Sequence, residues 1–326
     1  MPDIVSIGEA LMDLLSTRWG VPLEETPGFT IAPGGAPANV AAAVAKLGGS
    51  SGFIGKVGDD AFGRRMKNTL AECGVDVSML FMDGSVDTTL AFIGVRADGE
   101  PDYLFYRKHA GADIALRAEE IDPTIITGAR IFHFGSLSFT NEPLKRATRE
   151  SIRIARESGV VVSFDPNLRP SLWERMDQAK IEIEWGLRRA DIVKLTEEEL
   201  EFVTGAGSIE GMDRLFKYGP KMVLVTRGKE PCLYECGPLR IEVEPFLVEL
   251  VDPTGAGDAF VGGVLLGLTE RLKRGEDILS MSEDEVRGLL RFAHGCGALT
   301  VMRKGVVPAL PTRAMVEEFL AEAENV

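Results

Sequence analysis

Short apolar runs ending at glycine, aspartate or asparagine alternate along this chain with longer stretches whose apolar positions recur at helical spacing. Residues 3–8 read as a buried strand that stops at Gly8, and the alanine-rich segment 36–47 reads as a helix. A strand at 51–55 and a helix over 61–73, closed by Gly74, come next. From residue 130 onward the alternation is regular. Strands at 130–134, 160–164, 192–194 and 222–226 are interleaved with helices over 142–158, 174–189, 197–203 and near 209–217. Helices over 258–272, near 283–300 and over 312–324 finish the chain. This order predicts an α/β fold: a central, mostly parallel sheet flanked by helices, in a single domain over 1–326.

One stretch breaks the pattern. Residues 88–95 and 103–107 read as two strands joined by an Asp98-Gly99 turn. That hairpin is expected to belong to a small sheet closing over a site. Ligands of such folds lie at the carboxyl ends of the parallel strands. Polar residues gather just there: Glu9 and Asp13, Asp165 with Asn167 and Arg169, Glu197, and Thr226 with Gly228.

Composition narrows the function classes. The 326 residues include 36 Lys and Arg against 50 Asp and Glu, a formal net charge of −14. A field of that sign disfavours nucleic acid and anionic lipid as partners, while a local nest of amides can still hold a small phosphorylated ligand. No apolar run is long enough for a transmembrane helix, and the amino-terminal segment has no basic leader, so a cytoplasmic protein is expected. Cys73, Cys232, Cys236 and Cys296 lack a Cys-x-x-Cys spacing and read as reduced thiols.

Two segments carry candidate chemistry. In Asp252-Pro253-Thr254-Gly255-Ala256-Gly257-Asp258, two glycines allow close backbone approach and Asp258 opens an apolar helix. Free amides at a helix start bind anions, and a carboxylate there can take a proton from an attacking hydroxyl. The same pattern also describes an ordinary glycine turn before an acidic helix start. In Gly34-Gly35-Ala36-Pro37-Ala38-Asn39, the paired glycines admit a ligand and Asn39 suits sugar hydroxyls, or else the segment is a tight turn. There is no G-x-G-x-x-G for a nicotinamide cofactor and no G-x-x-x-x-G-K-[ST] phosphate loop. His109, His133 and His294 show no zinc spacing, and each reads as structural or as an edge of a nucleotide pocket.

These two segments, with Gly58-Asp59-Asp60-Ala61-Phe62-Gly63, resemble the paired signatures of the ribokinase-like (PfkB) carbohydrate kinases, and the resemblance runs over the whole chain. It implies an ATP-dependent sugar kinase, a phosphotransferase with an alcohol group as acceptor. It also implies a small β-sheet lid from segments of about 10–33 and 88–112. By resemblance, Asp258 is the general base, and Gly255, Ala256 and Gly257 form the anion hole. Asp13, Gly34, Gly35 and Asn39, with Arg107 and Arg169, meet the sugar. Lys194, Thr226, Gly228 and His294 face the nucleotide, and Glu197 organises Mg²⁺ through water. Asp252 and Thr254, with carbonyls near Arg303 and Gly305, would hold K⁺. The family often has asparagine where this chain has Lys194. That, with Phe105-Tyr106-Arg107 and Asp165-Pro166-Asn167-Leu168-Arg169, most resembles the fructokinase branch. A 2-keto-3-deoxygluconate kinase is the next reading, since Arg107 and Arg169 could hold a carboxylate; a ribokinase or a non-catalytic sugar sensor follows. A homodimer through the lids is expected by the same resemblance.

Overall fold

In the computed structural model, which describes residues 1–98, 101–107 and 111–323, two sheets divide the strands. The large one uses β1 (Ile4–Ile7), β4 (Ser51–Gly58), β5 (Leu80–Asp83), β8 (Ile131–Gly135), β9 (Val161–Asp165), β10 (Ile192–Thr196), β11 (Met222–Arg227), β12 (Glu230–Cys236) and β13 (Leu239–Val243). The small one uses β2 (Leu11–Ser16), β3 (Phe29–Gly34), β6 (Leu90–Val95) and β7 (Pro101–Tyr106). The helices are α1 (Ala36–Lys46), α2 (Ala61–Glu72), α3 (Pro123–Thr127), α4 (Leu144–Glu157), α5 (Met176–Leu187), α6 (Glu197–Thr204) and α7 (Ser208–Leu215). They continue with α8 (Ala256–Lys273), α9 (Glu283–Val301), α10 (Val306–Ala309) and α11 (Arg313–Ala323).

The large sheet runs β13-β12-β11-β10-β9-β8-β1-β4-β5, parallel from β11 to β5, with β12 and β13 antiparallel at one end. Its central strands are apolar on both faces because helices cover both. Alternation sorts the side chains: Phe132, Val193, Val223 and Val225 pack with Ile152, Ile183 and Leu187 of α4 and α5. Ile131, Ile192, Met222 and Leu224 pack on the other face with Val40, Phe260, Val264 and Leu290 of α1, α8 and α9. From β1 the chain builds outward through β4 to β5, then returns to the other side of β1 as β8 and continues to β11. The strand order therefore reverses at β1 and β8, and a crevice opens above their carboxyl ends.

The small sheet, ordered β3-β2-β6-β7, leaves directly from the end of β1 and returns into α1. Its 88–108 hairpin is present as β6 and β7, paired from Leu90 with Tyr106 to Val95 with Pro101. Gly99 of the expected turn, and His109, lie outside the described residues. The strands β2 and β3 are not separable by pattern alone. The run in β2 is broken by Asp13, and β3 carries Pro33, which is tolerated because β3 is an edge strand. The β12–β13 hairpin and β5 are likewise absent from the pattern-based elements.

α8 starts at Ala256, two residues before the expected 258, so Asp258 lies inside its first turn. Its N-cap, Gly255, has φ 83°, and a Cβ there would stand 2.3 Å from Val306 Cγ1. Close packing also fixes where α8 lies. A Cβ on Gly262 would stand 2.6 Å from Ala43 Cβ of α1. Gly262→Val is therefore expected to cost ~1–3 kcal/mol of stability by overpacking. Because the helix carries Asp258, kcat should fall as well; melting curves and turnover on one preparation check both, and an unchanged melting point would count against this packing account.

Candidate active site

The site is built where α1 and α8 begin side by side above the carboxyl ends of the strands. Asn39 Nδ2 donates to Asp258 Oδ2 at 2.7 Å, joining the first turns of the two helices. The other amide atom, Asn39 Oδ1, is buried and has no partner. Asp13 comes in from β2, and a Cβ on Gly34 would stand 2.0 Å from its Oδ2. Glu9 follows β1; its Oε1 accepts the Ala36 amide at 3.1 Å, while Oε2 is buried without a partner. At Gly35 φ is 106°, and a Cβ would meet the Glu9 carbonyl oxygen at 2.3 Å. Glycines at 34 and 35 are thus required by the neighbouring acids.

Two compartments meet here. One, of about 270 Å³, is lined by Glu9, Asp13, Asn39, Arg169, Lys194 and Asp258, among others. The second, of about 400 Å³, is lined by Thr226, Gly228, Phe246, Phe260 and His294, and extends to Glu198 and Val301. Lys194 and Gly257 belong to both, so they mark the junction. The first compartment is rich in acceptors and polar. The second has an apolar, aromatic wall: Phe260 lies 5.0 Å from His294, ring to ring, and His294 Nε2 is buried without a partner.

Electrostatics separate the acids. Burial raises Glu9 to about 7, with Arg107 partly opposing. Burial also raises Asp13 to about 7, with Arg169 lowering it and Asp258 raising it. Asp258 rises to about 6, again by burial first; the Asn39 hydrogen bond lowers it, the Asp165 charge raises it, and Arg169 and Lys194 lower it. A carboxyl held near the working pH in a cleft, next to helix-start amides, can exchange a proton with a hydroxyl. Burial pushes His294 down to about 4, leaving a neutral ring in the second compartment.

Most of the expected site residues are brought together, but several are placed otherwise. Arg107 is buried and does not line the first compartment. Its Nε donates to Asp113 Oδ2 at 2.7 Å, one terminal nitrogen to Thr140 Oγ1 at 2.7 Å and the other to the Leu137 carbonyl at 3.2 Å. Its charge is neutralised by Asp113, and it braces β7 against the 137–140 segment instead of reaching into the cleft. Glu197 lines neither compartment; its Oε1 accepts from Ser208 Oγ at 2.9 Å, and the neighbouring Glu198 faces the second compartment. Asp252 is buried, accepting the Thr254 amide on Oδ1 and the Gly305 amide on Oδ2, both at 3.0 Å. This gathers three of the residues expected around K⁺, whereas Arg303 is exposed.

Glu9 and Asp165, marked in the sequence by following strands, do line the cleft, and a third acid, Glu199, lines it outside the expected set. Asp165 Oδ2 accepts Lys194 Nζ at 3.1 Å, with both side chains buried. Glu199 closes a capping box with Thr196, accepting its amide at 2.8 Å, and also accepts the Leu168 amide. Its Thr-x-x-Glu spacing signals a helix cap, not a place in the cleft.

The model of the pfkB family of carbohydrate kinases matches residues 1–313. The chain belongs to that family. Fructokinase-1 of Zea mays is 42% identical to this PfkB kinase over 322 residues, covering 98% of each chain. The solved fructokinase of Xylella fastidiosa with bound ATP superposes with a TM-score of 0.89 at 34% identity, covering 99% of this chain and 100% of that one. A double mutant of the Vibrio cholerae fructokinase, in a form with bound fructose, ADP and potassium ion, gives a TM-score of 0.83 at 33% identity over 98% of each chain. The PfkB kinase is therefore an ATP-dependent phosphotransferase acting on a small sugar. Among the described residues, no helix is long and apolar enough to cross a membrane.

Two expectations follow for this cleft. Since Asp258 must be ionised to accept a proton and titrates at about 6, kcat/KM should fall about tenfold per pH unit below that value. Asp258→Asn, which keeps the size and the first-turn geometry, should fold normally and lose about 10²–10⁴ in kcat. Near wild-type turnover in the folded variant would remove Asp258 from the role. The second concerns Glu9, raised from an ordinary 4.5 to about 7. Between those values the folded protein binds more protons than the unfolded chain, so this group's stability contribution falls as pH rises. Glu9→Gln does not titrate. Its stability relative to the wild type should therefore rise by on the order of 3 kcal/mol between pH 4.5 and 7, and stay level outside that window. Melting curves at pH 4, 5, 7 and 8 would show it; a difference independent of pH would contradict the raised carboxyl.

Proposed function

We propose that this PfkB-family kinase is a fructokinase, which transfers the γ-phosphoryl group of ATP to the 6-hydroxyl of D-fructose. The observation that carries the reading is the charge of the first compartment. Glu9, Asp13, Asn39 and Asp258 offer acceptors for hydroxyl donors, and Arg107 is already neutralised by Asp113. A neutral, hydroxyl-rich acceptor suits that surface better than a sugar acid, whose carboxylate would face the five acids Glu9, Asp13, Asp165, Glu199 and Asp258 with only Arg169 and Lys194 opposing them. The fructokinase names of the maize, Xylella and Vibrio relatives, and the fructose bound in the last, favour the same acceptor.

In this reading Asp13 and Asn39 orient the sugar, with the Gly34-Gly35 backbone close against it. Asp258 takes the proton of the attacking hydroxyl. The amides of Gly255, Ala256 and Gly257 at the start of α8 meet the charge on the transferred group. The adenosine part lies against Thr226, Gly228, Phe260 and His294, whose unpartnered Nε2 suits an adenine edge. Mg²⁺ bound with the nucleotide would neutralise its phosphates. Glu198, which lines the second compartment, would supply the hard oxygen donors that such an ion takes. K⁺ would be held beside Asp252, whose buried carboxylate is fixed by the Thr254 and Gly305 amides and keeps its remaining lone pairs for a cation. The small sheet acts as a lid that excludes water during transfer. Trp19, Leu104 and Tyr106 are exposed on or beside it, which favours a homodimer through the lids. The free thiols suit a reducing, cytoplasmic setting.

A coupled assay over fructose, 2-keto-3-deoxygluconate, ribose, glucose and adenosine tests the assignment. Fructose is expected to give the highest kcat/KM. A preference for the sugar acid would replace the reading with 2-keto-3-deoxygluconate kinase, and a preference for ribose with ribokinase. Binding without turnover of any of them would favour a sensor.

A further inference from the structure

A second groove lies away from the cleft, between α4 and the end of α5. It encloses about 950 Å³ and shares no lining residue with either compartment. Arg146, Arg149, Arg153 and Arg156 recur along α4 at intervals of three and four, which sets them on one stripe, and Arg189 joins them from just beyond α5. In a chain of net charge −14, five arginines on one groove are out of keeping with the rest of the surface.

Part of the stripe is ordinary pairing. Arg146 meets Glu119 at 2.8 Å, and Arg153 meets Glu150 at 2.6 Å as well as Glu157. The other three arginines differ. Arg149 shares the single carboxylate of Glu182 with Lys145, at 2.7 and 2.5 Å. Arg156 donates to the Arg189 carbonyl at 2.6 Å, and Arg189 to the Trp185 carbonyl at 3.1 Å; neither has a carboxylate partner among the described residues. The guanidinium carbons of Arg149 and Arg189 lie 4.5 and 3.8 Å from the centre of the Trp185 ring, which holds both groups in place. Arg149 Nε is buried with no partner. Burial first, and then the charges of Arg149, Arg156 and Arg188, pull Arg189 below the ordinary arginine value. Like charges are thus kept close together, with more donors than the protein has acceptors to receive them.

We propose that this groove binds a small molecule carrying two phosphoryl groups, held by the guanidinium groups of Arg149, Arg156 and Arg189. A tetrahedral phosphate accepts from several directions, so it suits forks arriving from different side chains, whereas a planar carboxylate is matched by one fork. The groove is larger than a single phosphate needs, which leaves room for a second on a short skeleton. The exposed carboxylates of Glu119, Glu150 and Glu157 beside it would repel an extended polyanion, so the ligand is small.

The competing explanation is a solvated arginine stripe that binds nothing. Calorimetry with fructose 1,6-bisphosphate, inorganic phosphate and citrate distinguishes the two, on protein saturated with a non-hydrolysable ATP analogue so that the nucleotide's phosphate positions are filled. The bisphosphate is expected to bind once per chain, more tightly than the other two, and more weakly as ionic strength rises. Arg156→Gln/Arg189→Gln should weaken it by about tenfold or more. Glu150→Gln/Glu157→Gln, which frees Arg153 at an exposed position, should tighten it by about threefold. Melting curves show whether each variant folds. Absence of saturable binding would overturn the proposal, as would unchanged affinity in the folded arginine variant, which would place the bisphosphate elsewhere. Should the arginine variant unfold, the glutamate variant decides, and unchanged or weaker binding there would overturn it. Citrate binding as tightly as the bisphosphate would reject phosphate recognition, and inorganic phosphate doing so would reject the second phosphoryl group.

Discussion

The hydrogen bond from Asn39 to Asp258 is the constraint around which the site is arranged. It links positions 219 apart in sequence, so it can form only after the sheet has brought α1 and α8 together. Both helices reach that point through glycines with positive φ, Gly35 and Gly255, whose missing side chains let the helix starts approach the backbone of Glu9 and the side chain of Val306. A residue with a Cβ at either place would push one helix start away. The amide end of Asn39 is committed to Asp258, which leaves its carbonyl free for a ligand. One side chain therefore sets the orientation of the Asp258 carboxylate and offers a free acceptor to the cleft.

Around that bond the protein gathers acids in a poorly solvated space. Glu9, Asp13, Asp165, Glu199 and Asp258 are met from the protein side by Arg169 and Lys194. The acids survive there in two ways. Some keep their protons to unusually high pH, as Glu9 and Asp13 do at about 7. Others take backbone amides or a cation, as Glu199 and Asp165 do. Arg107 does the same on the side of the small sheet: its pairing with Asp113 satisfies a buried charge and at the same time fastens the end of β7 to the 137–140 segment. The small sheet is thus anchored at its base by an ion pair, while its outer face carries exposed apolar side chains.

Much of this was legible along the chain. The parallel core strands and the outer helices over them have clear periodicity, since each strand is buried on both faces and a helix such as α4 on one. The strands of the small sheet are less legible. In β2 and β3 a buried aspartate and an edge proline interrupt the apolar pattern, and pairing between β2 and β6 depends on residues 78 apart, as Met12 and Leu90 are. The site was read through its glycines and its two signature segments, and these do converge. What the sequence cannot express is side-chain direction. Arg107 lies in the right segment but turns inward to Asp113, Glu197 turns to Ser208, and Glu199 enters the cleft although its local pattern describes a helix cap.

The Lys194–Asp165 pair has an evolutionary consequence. Each member offsets a charge that would otherwise be buried alone, so neither position can drift by itself without passing through a poorly folding intermediate. In the course of descent the two should substitute as a couple. A lineage that places a neutral amide where this chain has Lys194 should also have given up the carboxylate of Asp165, and divergence at this pair would mark a branch point between groups of kinases more sharply than change at any exposed residue.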